Sequence, residues 1–368
     1  MTPIWTALIA GVIALVGWFG PLAVDGDVGP TSLGSLVTLG LVLLALVGAY
    51  VGRFWTAVLL VPVGLAGALV TVLRLGELTG GWGYWALLWG FWLVVVFGVG
   101  RVSVSETPEV GRARLRSLLP SASVPFLLLL AWQGLVGGYQ IPKGIFPGID
   151  DVWRSLVASW PVLLRDSYVT FVKEVLLGFS IGLVTGFLMG IAVAFSRFLR
   201  RGFLPLAAAF GAVPIVGLAP VLGRAFGVDW ESKAAVVVIV TFFPVLLNTV
   251  QGLVSVETLK LELLHAYAAK PHEIFFKLRL PNALPYLFNA LKLAAVISVV
   301  SVIVAEFLIP GPPEGLGQRI SLSARRGAFD VVFAAIFVSS AISIAFYGLI
   351  GWLERLTTSW HPSMRDSR

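Results

Sequence analysis

The sequence contains no cysteine and only three histidines, His265, His272 and His361, among its 368 residues. The missing cysteines exclude disulfides, thiol chemistry and Cys/His zinc centres. Charged residues are also scarce, because they make up 12% of the chain, whereas a soluble domain carries roughly 25%. Hydrophobic residues reach 58%, and disordered chains are poor in such residues. The composition therefore excludes both an ordinary soluble protein and a disordered one.

The sequence contains many long runs of apolar residues. A helix that crosses a bilayer needs about 20 predominantly apolar residues. Ten segments qualify: 4–24, 32–52, 55–75, 84–100, 118–138, 168–195, 203–226, 234–255, 286–309 and 331–353. Helices are favoured over barrel strands, since every backbone polar group must be paired inside lipid and runs such as Phe126–Leu130 do not alternate. We predict an all-α, polytopic membrane protein with about ten transmembrane helices.

The basic residues indicate which loops face the cytoplasm. The formal net charge is +7, but basic residues beside apolar spans are typical of a cytoplasmic membrane face, so no nucleic-acid partner is expected. Fourteen Lys and Arg residues lie in 101–117, 196–202, 256–285 and 353–368, against seven in 138–167, 227–233 and 310–330. We therefore predict a multi-pass protein of the inner membrane with the first group of loops, and with both termini, in the cytoplasm.

A polar stretch at 101–117 divides the chain into two blocks. Residues 1–100 hold four predicted spans with short connections and few charges, whereas residues 118–360 hold six spans with longer, charged loops. We interpret 1–100 as an additional four-helix region of unknown role, 101–117 as a cytoplasmic linker, and 118–360 as the main domain.

The segment 256–285 is the most informative part of the sequence. At about thirty residues it is far longer than a hairpin between two membrane spans requires. Ile274, Phe275 and Leu278 would share one face of a short helix. A surface helix that merely rests on lipid headgroups remains an alternative interpretation.

Prolines and an alanine define the expected shape of this segment. Pro271 suits the first turn of a helix, where its missing N–H would be unpaired anyway. We predict two short helices that meet at a bend near Ala268–Lys270, with Pro281 ending the second helix and Pro285 preceding the next span.

The same segment resembles the EAA loop of ABC-importer permeases, a pattern of Glu-Ala-Ala, then Gly, then an apolar residue two positions before Leu-Pro. Glu262 matches the glutamate, and Leu278, Leu280 and Pro281 match the ending. The alanine pair is replaced by two leucines, and the glycine by Ala268. Since a left-handed turn is costly for alanine, we expect Pro271 to provide the break instead.

The resemblance extends over roughly 118–355 and is to the nitrate/sulfonate/taurine branch, which includes permeases for thiamine-precursor pyrimidines and riboflavin. The run Leu-Pro-Asn-Ala-Leu-Pro-Tyr-Leu-Phe-Asn-Ala-Leu-Lys after the loop resembles that branch, as does Val-Ala-Glu-Phe at 304–307. It implies a C-terminal six-helix core of the ABC type I importer permease kind. The substrate stays open: a pyrimidine- or riboflavin-like solute is favoured, and nitrate, sulfonate and taurine are alternatives.

The resemblance also implies partners. In this family the loop forms a coupling helix that fits a groove in separate ATPase subunits, which carry the ATP and Mg, and an extracytoplasmic solute-binding protein delivers the solute to a pair of permeases, a second copy or a homologue. No cofactor is expected in this chain, which lacks a G-x-x-x-x-G-K-[ST] loop. The implied ATPase-coupling residues are Glu262, His265, Tyr267, Ala268, Lys270, Pro271, His272, Glu273, Leu280 and Pro281.

Within the spans, small and helix-breaking residues point to packing and to a solute path. Gly178, Gly182, Gly186 and Gly190 recur every four residues, a pattern that lets helix backbones approach closely in lipid. Prolines break helices, and broken helices at membrane depth are tolerated where they line a cavity. Ionisable residues within spans are functional candidates. The candidate path residues are Pro214, Pro220, Pro244, Asn248, Asn289 and Glu306.

Two other classes of membrane protein are alternatives. A secondary transporter not driven by ATP would show paired internal repeats and midplane ion ligands, and we find neither pattern in the sequence. A membrane-embedded enzyme would need converging nucleophile, base or metal ligands, which three histidines and no cysteine do not supply. The secondary transporter is the main alternative to an importer permease.

Overall fold

A computed structural model of the chain describes residues 3–24, 33–51, 54–75, 79–104, 110–211 and 213–358. These residues form sixteen α-helices and no strand, apart from an isolated antiparallel bridge between Ala23 and Gly80. The chain divides into two compact units, Met1–Trp153 and Arg154–Arg368. The predicted all-α fold class is confirmed.

The first unit packs five long helices around a core of aromatic and small residues. Its helices are α1 (Pro3–Trp18), α2 (Leu33–Val51), α3 (Phe54–Leu75), α4 (Trp82–Val104) and α5 (Val110–Gly138), and α6 (Ile149–Ala158) crosses the unit boundary. Tyr84 and Phe91 of α4 are fully buried, and the Tyr84 hydroxyl donates a 2.8 Å hydrogen bond to the carbonyl of Gly134. Of the predicted linker 101–117, residues 105–109 lie outside the described residues.

The second unit contains four helical stretches that are long and apolar enough to cross a membrane, Trp160–Phe195, Trp230–Val254, Pro271–Leu308 and Phe329–Thr357. Its helices are α7 (Trp160–Ser167), α8 (Leu177–Phe195), α9 (Arg197–Gly211), α10 (Ile215–Phe226), α11 (Trp230–Val254), α12 (Thr258–Ala266), α13 (Pro271–Ile274), α14 (Leu280–Leu308), α15 (Leu316–Arg325) and α16 (Phe329–Thr357). A π-helical segment, Tyr168–Leu176, joins α7 to α8. Another, Phe275–Arg279, joins α13 to α14, so that Pro271–Leu308 is one continuous helix.

Seven helices in the described ranges are long and apolar enough to cross a membrane, and three shorter apolar helices accompany them. Each of the ten segments predicted from the sequence overlaps one of these helices. The span predicted at 203–226 is two helices, because Pro214 is extended (φ −69°, ψ 121°) immediately before α10. In contrast, α10 continues through Pro220 and α11 through Pro244.

The four-residue glycine stripe lies where α8 packs against α11. A Cβ atom on Gly178 would lie 2.5 Å from the carbonyl oxygen of Ala234, and one on Gly186 would lie 2.7 Å from that of Phe242. Gly182 and Gly190 are buried in the same contact. Such distances leave no room for a side chain, so the glycines allow the two backbones to touch.

Candidate functional site

Helix α12 is a surface helix without a buried side chain. Leu259, Leu263 and Tyr267 follow each other at four-residue spacing and are 75%, 56% and 78% exposed. Leu261 and Leu264, on the other side of the helix, are half-buried. Residues four apart share a helix face, so α12 presents a stripe of large apolar side chains that nothing in the described part of the chain covers.

The turn after α12 is left-handed at Ala268, which has φ 51°. The Ala268 N–H donates to the carbonyl of His265 at 2.9 Å, and the Ala269 N–H donates to that of Leu264 at 3.0 Å. These two bonds form the Schellman motif that ends helices, usually with glycine at the left-handed position. The expectation that alanine would prevent this turn is therefore wrong, because the two terminal hydrogen bonds offset the strain.

The second arm of the bend begins with a cap that the Glu273 side chain supplies. Lys270 is extended, Pro271 occupies the first helical position, and the Lys270 N–H donates to Glu273 Oε2 at 2.9 Å. Glu273 Oε1 also accepts from Lys277 Nζ at 3.3 Å. The predicted bend between two helices is present, and hydrogen bonds on both sides of it stabilise the turn.

The prediction that Pro281 ends the second helix is wrong. Proline lacks an N–H and its ring meets the carbonyl four residues earlier in an α-helix. Just before Pro281 the chain is π-helical, and the Leu280 N–H donates to the carbonyl of Phe275, five residues back. The wider turn relieves the steric conflict between the Pro281 ring and the carbonyl four residues before it. As a result α13 runs without interruption into α14.

Contacts at the base of this helix tie it to α11. The Arg279 guanidinium donates to the carbonyl of Leu253 at 3.2 Å, and the Asn282 amide donates to that of Gly252 at 2.8 Å. Ile274 is buried, in line with the predicted apolar face. The predicted coupling residues thus form two groups. Exposed residues of the bend are Glu262, His265, Tyr267, Ala268, Lys270, Pro271 and His272. Half-buried residues are Glu273, in the cap of the bend, and Leu280 and Pro281, at its base.

A cavity of about 210 Å³ lies between α9, α10, α11 and α14. Its walls are apolar and include Phe210, Leu222 and Phe243. The rings of Phe210 and Phe243 stack with their centroids 4.6 Å apart. Of the six predicted path residues, all of which are described, Pro244 alone lines this cavity.

The predicted asparagines lie in different surroundings. The Asn248 amide donates to the carbonyl of Pro244 at 2.9 Å, within its own helix. Asn289 is exposed on α14. The structure therefore does not bring these two side chains together.

Glu306 holds the start of α15. Its side chain is buried, Oε1 accepts a 2.8 Å hydrogen bond from the Thr170 hydroxyl, and Oε2 accepts from the N–H groups of Gly317 and Gln318. The N–H groups of a helix's first turn have no partner within the helix, and a carboxylate there also meets the positive end of the helix dipole.

Two further side chains complete this arrangement. Thr170 Oγ1 accepts from the Leu316 N–H at 2.8 Å, and Asp166 Oδ1 accepts from the Gly315 N–H at 3.2 Å. Asp166 Oδ2 also receives the Arg319 guanidinium at 2.7 Å. We call Asp166, Thr170 and Glu306 the α15 socket, because together they satisfy the N–H groups of 315–318.

Glycines make the close approach of the α15 socket possible. A Cβ atom on Gly315 would lie 2.3 Å from Glu306 Oε1, and one on Gly317 would lie 2.6 Å from Oε2. Gly315 also has φ 106°, a backbone conformation that favours glycine. Asp166 and Thr170 were missed in the sequence, although two polar residues four apart at the start of an apolar helix are a usable signal. In the described residues no group of three or more His, Asp or Glu side chains is placed to hold a metal ion.

Comparison with known proteins agrees with this architecture. Residues 182–359 match the family model of the binding-protein-dependent transport system inner membrane component. A probable ABC transporter permease of Haemophilus influenzae is 30% identical over 240 residues, which are 65% of this chain and 96% of that protein. The riboflavin transport system permease of Chloroflexus aurantiacus is 30% identical over 263 residues, 68% of this chain and 96% of that protein. A formylaminopyrimidine transport permease of Halalkalibacterium halodurans is 32% identical over 184 residues, 50% of this chain and 73% of that protein. With its continuous helices, its exposed bend and these relatives, the chain belongs to the family of binding-protein-dependent ABC importer permeases.

Proposed function

We propose that the segment 256–285 of this permease docks onto a separate ATPase and passes the ATPase's movement into the membrane helices. The observation that carries the proposal is the exposed stripe of Leu259, Leu263 and Tyr267 on α12, which has no buried residue of its own. Contiguous apolar side chains rimmed by charge are typical of a protein-binding surface. Glu262, His265, Lys270 and His272 supply the polar rim.

The path of the movement follows from the helices. Because Pro271–Leu308 is continuous, a push on α13 moves α14, which contributes Ile297 to the apolar cavity. The hydrogen bonds from Arg279 and Asn282 to the end of α11 transmit the same push to a second wall of the cavity. We propose that this cavity is part of the solute path.

The proposal also covers the membrane topology, the partners and the domain bounds. We place the α12 bend and both termini in the cytoplasm, with ATP and Mg on the ATPase. The α15 end faces an extracytoplasmic solute-binding protein, and a second permease, a copy or a homologue, completes the path. We propose 118–360 as the permease domain, 101–117 as a cytoplasmic linker and 1–100 as an additional membrane region.

Two relatives are named for formylaminopyrimidine and riboflavin transport, and the apolar walls of the cavity support a small heteroaromatic solute.

A double substitution tests the coupling role. Glu262→Gln with Lys270→Gln should separate ATP hydrolysis from uptake in vesicles containing the assembled importer, with at least a tenfold loss of solute transported per ATP. Both residues are exposed, so folding should be unaffected. The control is Arg355→Gln, which removes an exposed charge in the last turn of α16, outside the segment 256–285.

Two results would contradict the proposal. One is uptake per ATP in the Glu262/Lys270 variant equal to that in the Arg355→Gln control. The other is topological: because the chain has no cysteine, a single Thr258→Cys substitution can be labelled with a membrane-impermeant thiol reagent, and labelling from the periplasm would place the bend on the wrong side.

A further inference from the structure

A pocket of about 510 Å³ opens between α9 and α11, at the end of the second unit that carries the α12 bend. Its lining includes the polar residues Arg200, Gln251 and Ser255 and the apolar residues Leu204, Leu247, Val250 and Val254. Arg200 and Ser255 lie at the ends of their helices, and Leu204 and Leu247 lie one to two turns further into the membrane-spanning part. The pocket is thus amphipathic along the direction in which a lipid lies.

The rim of this pocket carries positive charge without a matching carboxylate. Arg197, Arg200 and Arg201 lie in the first two turns of α9, which contains no acidic residue. None of the three forms an ion pair within the part of the chain that the structure describes. The acidic residue at the start of α12, Glu257, is paired with Lys260. An anion at this rim would therefore meet no competing carboxylate on either wall.

Arg200 is held in place at the wall of the pocket. Its Nη2 donates to the carbonyl of Ala194, which fixes the side chain. A guanidinium presents its remaining donors in a planar fork that matches phosphate oxygens.

We propose that this pocket binds the phosphate group of an anionic membrane lipid, with Arg200 as the main contact and the walls around Leu204 and Leu247 covering the start of an acyl chain. The amphipathic shape favours a lipid over free phosphate, which would leave the apolar walls wet. Basic pockets between membrane helices at a charged membrane face bind lipid headgroups in this way. The proposal requires only that the chain spans a bilayer and does not depend on the ATPase.

The test measures bound lipid on the full-length protein. Wild type and Arg200→Gln would be exchanged into nanodiscs of phosphatidylcholine with a minor fraction of phosphatidylglycerol, and retained lipid would be counted by native mass spectrometry after detergent release. Loss of a charge-assisted hydrogen bond should lower phosphatidylglycerol retention about tenfold. Arg355→Gln, an exposed arginine in the last turn of α16 outside the pocket, removes the same charge and should change nothing.

Three results would overturn the proposal. Equal phosphatidylglycerol retention in Arg200→Gln and wild type would exclude the pocket as its site. Equal retention of phosphatidylcholine and phosphatidylglycerol by wild type would exclude recognition of an anionic group. Displacement of the lipid by inorganic phosphate at low millimolar concentration would identify free phosphate as the ligand. Thermal unfolding of each variant separates these results from misfolding.

Discussion

The regions at the two ends of α14 differ in whether their polar groups are paired and in whether their apolar side chains are buried. At its C-terminal end the α15 socket buries Asp166, Thr170 and Glu306 and pairs the N–H groups of a neighbouring helix. At its N-terminal end α12 leaves large apolar side chains exposed and buries none of its residues. The socket pairs the N–H groups of 315–318, although Glu174 Oε2, next to Glu306, is buried without a hydrogen-bond partner. The exposed apolar stripe of α12, in contrast, is covered by nothing in the described part of the chain.

Removing the socket carboxylate should have the largest effect on stability. Glu306→Ala leaves two backbone N–H groups and the Thr170 hydroxyl without an acceptor in a buried site, and we expect a loss of about 3 kcal/mol or more in the free energy of unfolding. Urea unfolding in detergent measures it. Glu314→Ala is the control, because its pair with Arg165 is exposed and should contribute no more than about 1 kcal/mol. Equal losses in the two variants would show that the α15 end is not held by Glu306.

A smaller loss is expected from a single methyl group in the same place. Gly317→Ala puts a Cβ atom 2.6 Å from Glu306 Oε2, and forced overpacking of this kind costs about 1–3 kcal/mol. Gly348→Ala on α16 is the matched change, since its Cβ atom would meet nothing within 4 Å. It should be neutral or gain up to about 1 kcal/mol from helix propensity. The same unfolding measurement checks both variants, and a neutral Gly317→Ala would contradict the socket geometry.

At the opposite end, a substitution should stabilise rather than destabilise. Ala268→Gly keeps the left-handed turn (φ 51°) and removes the strain of a Cβ atom there, a gain of about 1 kcal/mol. The gain should be local to α12. Hydrogen exchange of the Ala268 and Ala269 amides should slow severalfold, whereas global unfolding should change little. Faster exchange in Ala268→Gly would show that the turn is not limited by alanine.

The smallest stability effect should accompany the strongest functional one. Leu263→Asp changes a side chain that is 56% exposed, so the free energy of unfolding should stay within about 0.5 kcal/mol. Copurification of the ATPase should nevertheless fall below a tenth of wild type, because a charge would enter the apolar stripe. Leu356→Asp, at a leucine that is 60% exposed on α16, is the control. Full ATPase retention by Leu263→Asp would contradict the proposal that the apolar stripe of α12 binds the ATPase.

Much of the fold could be predicted from the sequence because membrane helices carry their own signal. Apolar length alone located all ten helical segments, and the family relationship followed from the motif around Glu262 and Pro281. Proline effects were predicted less well. Pro214 separates two helices, whereas Pro220 and Pro244 lie inside continuous helices, because neighbouring groups in a bundle can satisfy the backbone that a proline leaves unpaired.

The sequence by itself determined the helices, the membrane environment and the exposed charge of the 256–285 bend, since these depend on local composition and spacing. Only the tertiary structure decided the partners of buried charges. Glu306 pairs with α15 rather than with an arginine, and Lys292 pairs with Glu354 at 2.8 Å across two helices. It also decided that a π-helical turn carries the chain past Pro281 and that Ala268 is left-handed. The partners of Glu306 and Lys292 lie far from them in the chain, so no local sequence pattern predicts these pairs. The turns at Ala268 and before Pro281 depend on whether hydrogen bonds outweigh local strain, and the residue types alone do not give that balance.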